Sequence, residues 1–167
     1  MSKRPSAATV DSPIGRLHLA ASSDGLTHLL FAASPVSNAE GDGTAAAARI
    51  LAETRRQLTA YFAGRRRAFE LPLAPAGTEF QLAVWRGLRD IPYGATLSYG
   101  ELARRIGRPA AVRAVGAANG ANPISIIVPC HRVIGQNRRL TGYGGGLPAK
   151  RKLLEIEGIT MDGDRCG

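Results

Sequence analysis

Ala74-Pro75-Ala76-Gly77 divides the chain, because the hydrophobic pattern changes character across it. Upstream, Gly15-Arg16-Leu17-His18-Leu19-Ala20 alternates polar and apolar residues, and Ser22-Ser23-Asp24-Gly25 carries the Asp-Gly hairpin signature. Leu26-Thr27-His28-Leu29-Leu30-Phe31 reads as the return strand, with His18 and His28 as surface strand residues of no assigned role. Residues 34–44, rich in Ser, Gly, Pro and Asn, read as a loop. A helix over 45–62 follows, with Ile50, Leu51, Leu58, Tyr61 and Phe62 at helical spacing and Gly64 as its stop. Residues 69–73 read as a last strand. Downstream of the linker the repeats are mostly helical. The expected fold class is therefore α+β: an α/β domain over 1–75, a helical domain over 76–160 and a flexible tail over 161–167.

The second half is well punctuated. Thr78-Glu79-Phe80-Gln81 is a capping box that opens a helix to about Asp90, with Phe80, Val84, Trp85 and Leu88 on one face. Ser98-Tyr99-Gly100-Glu101 is a second such box, opening a short helix closed by Gly107. Pro109 suits the start of the next helix, over 110–119. Short helix, glycine turn and second helix make a helix-turn-helix pattern. The second helix carries Ala110, Ala111, Ala114, Gly116 and Asn119, with Arg113 as its one long side chain. A major-groove reader needs several long polar side chains. This helix suits close approach to a duplex with little sequence preference. Pro148 opens a last helix that ends at Glu157-Gly158.

Charge points to the same partner. The net charge is +9, and from Leu102 to Leu154 there is no acidic residue but ten basic ones. A one-sign field of this kind attracts a polyanion and releases its counterions. No apolar run approaches the roughly 20 residues of a membrane helix. Two cysteines among 167 residues make no disulfide framework, and they show no metal-ligand spacing with the three histidines. We expect a reduced, cytoplasmic chain with no metal and no cofactor.

The chemistry concentrates in Val128-Pro129-Cys130-His131-Arg132-Val133. It follows the β-branched run Ile124-Ser125-Ile126-Ile127-Val128, which reads as a buried strand stopped by Pro129. The Gly-rich stretch Thr141-Gly142-Tyr143-Gly144-Gly145-Gly146 comes soon after. A thiol is nucleophilic only as thiolate. His131 can supply a base through a water, Arg132 a positive field, and Glu157 a group to orient the histidine. Cys166, in the tail, reads as incidental. A cysteine hydrolase and a transcription regulator are the alternatives from other classes. Turnover would mark the first and operator preference the second.

Pro129-Cys130-His131-Arg132-Val133, with Asn122-Pro123 upstream and Tyr143-Gly144-Gly145-Gly146 downstream, resembles the O6-alkylguanine-DNA alkyltransferases, or methylated-DNA–protein-cysteine methyltransferases. The likeness extends through Ile91-Pro92-Tyr93-Gly94, Ser98-Tyr99, Arg113-Ala114-Val115-Gly116 and Glu157-Gly158, while Asp11-Ser12-Pro13-Ile14-Gly15 looks like the family's opening strand. The resemblance implies a ribonuclease H-like N-terminal layer and a winged-helix-like C-terminal domain. It implies direct-reversal repair by a suicide enzyme: Cys130 takes the alkyl group from guanine O6, and O4-alkylthymine is left open. His131 and Glu157 would activate the thiol and Asn122 would brace its turn. Tyr99, Tyr143, Gly144 and the carbonyls of Cys130 and Val133 would hold the base, with Tyr99 donating to guanine N3. Gly144, where some relatives have a polar residue, would open the pocket to larger alkyl groups. Arg113 would fill the stack vacated by a flipped base, while the small helix lies in the minor groove of double-stranded DNA. The chain would act as a monomer, with cooperativity on DNA left open.

Overall fold

The computed structural model describes residues 7–32 and 41–167, which divide into two compact units, Met1–Ala76 and Gly77–Gly167. In the first unit, β1 (Ala7–Val10), β2 (Leu17–Ser22) and β3 (Gly25–Phe31) form an antiparallel meander in that order. Helix α1 (Ala45–Phe62) packs on the sheet and buries Leu51, Leu58 and Tyr61 against the inward leucines 17, 19, 26 and 29. The helix spans the residues its spacing predicts, capped by Thr44, whose hydroxyl accepts from the Ala47 amide. Of the loop expected over 34–44, residues 34–40 lie outside the described residues.

Two expectations for this unit are corrected. Residues 11–15 are a turn, not an opening strand: Ser12 and Gly15 exchange backbone hydrogen bonds at 3.1 Å, and Gly15 takes φ +105°. The strand is the preceding Ala7–Val10. Residues 69–73 form no full strand either, since Pro72 has no amide to donate. Their one ladder contact is a parallel bridge between Leu73 and Leu26, tied by Leu26 N to Pro72 O and Ala74 N to Leu26 O at 2.8 Å. Gly25 is required there, because a Cβ would lie 2.7 Å from the Pro72 carbonyl oxygen.

The second unit contains α2 (Glu79–Arg89), β4 (Leu97–Ser98), α3 (Tyr99–Arg105), α4 (Val112–Gly120), a 3₁₀ turn (Cys130–Arg132), β5 (Val133–Ile134), α5 (Leu147–Ile156) and a terminal hairpin of β6 (Met161–Asp162) and β7 (Arg165–Cys166). The Thr78–Gln81 capping box is complete. Trp85 is core, and its indole N–H donates to the Ala118 carbonyl at 2.9 Å, tying α2 to α4. Parallel pairing of β4 with β5, Leu97 opposite Val133, brings the start of α3 beside the segment that leaves Cys130. Among the described residues no helix is long and apolar enough to cross a membrane.

Three expectations change here. Residues 124–128 are buried but are not a strand: Ile126 sits at φ +74°, and Val128 N turns back to Ile124 O at 3.0 Å. Helix α4 starts at Val112 rather than 110, with Pro109 in the preceding turn and no side-chain cap at Ala111. The tail is folded rather than flexible. Leu140 N donates to Asp164 O at 2.7 Å and Cys166 N to Arg138 O at 2.9 Å, while buried Cys166 packs with Ile134, Leu140 and Leu154. Apolar burial and four paired residues hold it down.

Candidate active site

Cys130 opens the 3₁₀ turn at the end of a compact, strained segment. A β-branched residue in the left-handed region costs about 1–3 kcal/mol and persists only where its surroundings impose it. Asn122 imposes it at Ile126. Its amide donates to Val128 O at 2.8 Å and to Ile124 O at 3.3 Å, and its carbonyl accepts from Ile124 N at 3.0 Å. The thiol is 5% exposed and within reach of the Asn122 and Ser125 side chains. Burial pushes the Cys130 thiol above its ordinary value, against the opposing pull of Asn122, Lys150 and Ser125. The resting sulfur is a protonated thiol.

His131 is fully buried, and its Nε2 lies 2.7 Å from Glu157 Oε2. Burial depresses the imidazole, outweighing the raising influence of Glu157, so the ring is neutral near pH 7. The Glu157 carboxyl is pushed up by burial, but His131 and Arg132 outweigh this and hold it at about 2. An ionised carboxylate only accepts, so Nε2 carries the proton. Nδ1 is then left with a lone pair, and it has no hydrogen-bond partner among the described residues. That nitrogen is the base.

Arg132 fixes the carboxylate. Nε donates to Glu157 Oε1 at 2.7 Å, Nη2 to Oε2 at 3.0 Å and Nη1 to the Ile91 carbonyl at 2.6 Å. The Ile91-Pro92-Tyr93-Gly94 turn closes over this pair: Gly94 N donates to Glu157 Oε1 at 3.2 Å, Tyr93 OH to Ile156 O at 3.0 Å, and the Tyr93 ring lies 5.9 Å from the guanidinium. The expected role of Arg132 is thereby corrected. Its charge neutralises Glu157 rather than facing the thiol.

The cation that faces the thiol is Lys150, one of the ten basic residues between Leu102 and Leu154. It is fully buried, and its Nζ donates to Thr141 O at 3.3 Å. Burial lowers its ammonium to about 8, against the raising pull of Cys130 and Cys166. One cue to its burial was available: Lys150 shares a helical face with Leu153 and Leu154.

The N-terminal ends of α3 and α4 complete the site. Tyr99 Oη lies 2.6 Å from Thr141 Oγ1, and a Cβ on Gly116 would stand 3.8 Å from the Tyr99 ring. Ala110, Arg113 and Ala114 are exposed, Ala111 and Gly116 are half-buried, and Asn119 is buried, so Asn119 does not share the exposed face of α4. Val133 is buried next to the thiol's turn, and Tyr143 is half-buried. Gly144 is exposed, and a Cβ there would meet nothing within 4 Å.

Residues 7–75 match the model of the 6-O-methylguanine DNA methyltransferase ribonuclease-like domain, and residues 79–159 that of its DNA-binding domain. A methylated-DNA–protein-cysteine methyltransferase of Methanosarcina acetivorans is 50% identical over 90% of this chain and 97% of its own length. The chain belongs to the methylated-DNA–protein-cysteine methyltransferase family. Within that family, a relative from Mycolicibacterium paratuberculosis is 52% identical over 89% of this chain and 90% of its own. The crystal structure of Mycobacterium tuberculosis OGT in complex with DNA superposes with TM-score 0.81 at 50% identity, covering 90% of this chain and 91% of the other. The α+β class and the division into ribonuclease-like and DNA-binding parts are those of the family.

Proposed function

We propose that this chain repairs alkylated DNA by moving the alkyl group from guanine O6 onto Cys130, irreversibly and once per molecule. The observation that carries the reading is a buried thiol followed directly by a neutral imidazole whose Nδ1 has no hydrogen-bond partner among the described residues and whose Nε2–H is held by a carboxylate. The family names and the DNA-bound relative supply the substrate class.

The thiol proton passes to His131 Nδ1 through one water. The sulfur attacks the alkyl carbon opposite guanine O6. An S–C bond forms, the C–O bond breaks, and its electron pair goes to the guanine. Tyr99 donates to guanine N3 as this charge develops, and the Cys130 and Val133 carbonyls accept from the exocyclic amine. Tyr143 and Gly144 line the approach to the base. Glu157, held in place by Arg132, stabilises the imidazolium while it exists, and the proton passes from it through water to the departing guanine. A thioether carbon has no good leaving group, so the protein is consumed. No metal or cofactor enters this scheme. A thiol used this way needs a reducing compartment, in keeping with cytoplasmic work on DNA.

Cys130 starts protonated and His131 starts neutral. The reactive pair is therefore intact between 6.5, the ordinary imidazole value below which His131 lies, and 9.0, the ordinary thiol value above which Cys130 lies. The single-turnover rate is expected to be level from 6.5 up to about 8, where Lys150 loses its charge, and to fall as pH drops through the depressed His131 value. A rate climbing tenfold per pH unit through neutrality would mean that free thiolate reacts without a base.

Reaction on a base in a duplex requires extruding it, at a cost of a few kcal/mol. Exposed Arg113, on the small-faced helix α4, is suited to enter the stack from the minor groove. The helix has little else with which to read sequence, and a monomer suffices. Arg113→Ala is expected to slow repair of O6-methylguanine in duplex DNA by tenfold or more while leaving transfer from free O6-methylguanine unchanged. Equal losses on both substrates would remove Arg113 from the flipping step.

A further inference from the structure

Among the described residues the Thr141 hydroxyl is the side-chain group hydrogen-bonded to the Tyr99 hydroxyl, and Thr141 is held in place from two directions. Its carbonyl accepts from the buried ammonium of Lys150 at 3.3 Å. Its neighbour Leu140 is buried and anchored through its amide to Asp164 O of the terminal hairpin at 2.7 Å. Lys150 and the hairpin thus fix the Thr141 backbone, and the backbone sets Oγ1 2.6 Å from Tyr99 Oη.

Only one of the two hydroxyls can donate across that contact. A phenol has one proton and accepts through its oxygen. If Thr141 donates, the Tyr99 proton is free to point at a bound base. A phenol that accepts one hydrogen bond also becomes a stronger donor in the next, because aligned bonds polarise one another. If Tyr99 donates instead, its proton is tied to the protein and Thr141 competes with the base.

We infer that Thr141 is a positioning residue for alkyl transfer, its hydroxyl donating to Tyr99 so that the Tyr99 proton is aimed at the leaving guanine. This rests on the alkyl-transfer reading above and deepens it. Thr141 touches no reacting atom. It acts through Tyr99, and the interaction strengthens as negative charge develops on the departing base. The effect therefore falls on the single-turnover rate constant and not on DNA affinity.

Thr141→Val removes the hydroxyl at nearly constant volume, and Thr141→Ser keeps it. With saturating O6-methylguanine duplex, Thr141→Val is expected to slow transfer about fivefold to tenfold, the loss of one neutral hydrogen bond. Thr141→Ser is expected to react at the parent rate, and both variants to keep the parent DNA dissociation constant and melting temperature. A duplex carrying O6-methyl-3-deazaguanine has no N3 acceptor, so on it the parent and Thr141→Val are expected to react equally. A merely structural role would slow Thr141→Val on both substrates, and that result would overturn the inference. So would an unchanged rate, or a faster one, which would mean that Tyr99 is the donor in the pair. Should Thr141→Val melt early, Thr141→Ala compared on the same two substrates gives the same discrimination. Failure of the underlying reading looks different: the parent protein itself would then transfer no methyl group.

Discussion

Cys130→Ser is expected to abolish alkyl transfer while leaving binding to alkylated duplex at the parent level. The exchange keeps the shape of a side chain that is only 5% exposed, so the surrounding turn stays packed. It replaces a thiol by a hydroxyl that a neutral imidazole cannot ionise to a useful extent and that is a far weaker nucleophile. No second acceptor stands in for it: Cys166, the other cysteine, is packed among Ile134, Leu140 and Leu154. The check is transfer of labelled methyl from O6-methylguanine duplex, with binding followed separately. Label retained on the variant would move the acceptor away from Cys130.

Glu157→Gln is expected to damage both stability and chemistry. The carboxylate is fully buried and accepts from His131, from two nitrogens of Arg132 and from Gly94 N. Neutralising it leaves the Arg132 charge buried without its partner, a change that costs roughly 3–5 kcal/mol. At about 2–4 °C per kcal/mol for a chain of this size, melting is expected to fall by roughly 10 °C. The chemistry suffers for a separate reason. An amide N–H facing His131 Nε2 makes that nitrogen the acceptor and places the ring proton on Nδ1, where the base must be. The loss should approach the about 10²–10⁴ that a general base contributes. Glu155→Gln is the control. Its 2.8 Å pair with Arg151 is exposed at the surface and is worth at most about 1 kcal/mol. Similar melting and rates for the two variants would refute the buried-carboxylate account. Thermal melting with single-turnover kinetics decides.

What was legible in the sequence follows from how local each cause is. Helix α1 and the Thr78 box are set by residues within a few positions of one another, so spacing and caps locate them. The Cys-His-Arg-Val segment, with Glu157 to orient the histidine, was legible from residue types that together suit few chemistries, whereas Asn122 was legible only through the family resemblance. Residues 124–128 were misread because burial and β-branching look alike in a strand and in a turn braced by a distant side chain. The positive φ of Ile126 is imposed by Asn122 and leaves no periodic trace. The terminal hairpin has strands of two residues, too short for any alternation. Arg132 and Lys150 were counted among the ten basic residues of a polyanion-attracting field, although each is buried against a partner that only the fold brings near. Thr141 was invisible for the same reason: its partner Tyr99 lies 42 positions away.

The central claim is that a single buried sulfur both performs the reaction and is used up by it. The most direct measurement is the mass of the intact protein, with peptide mapping, after incubation with excess O6-methylguanine duplex. The account predicts a gain of one methyl group per molecule, located on Cys130, with demethylated guanine formed in equal amount and no more on longer incubation. Product accumulating beyond one per protein, or an unmodified Cys130 after repair, would contradict it.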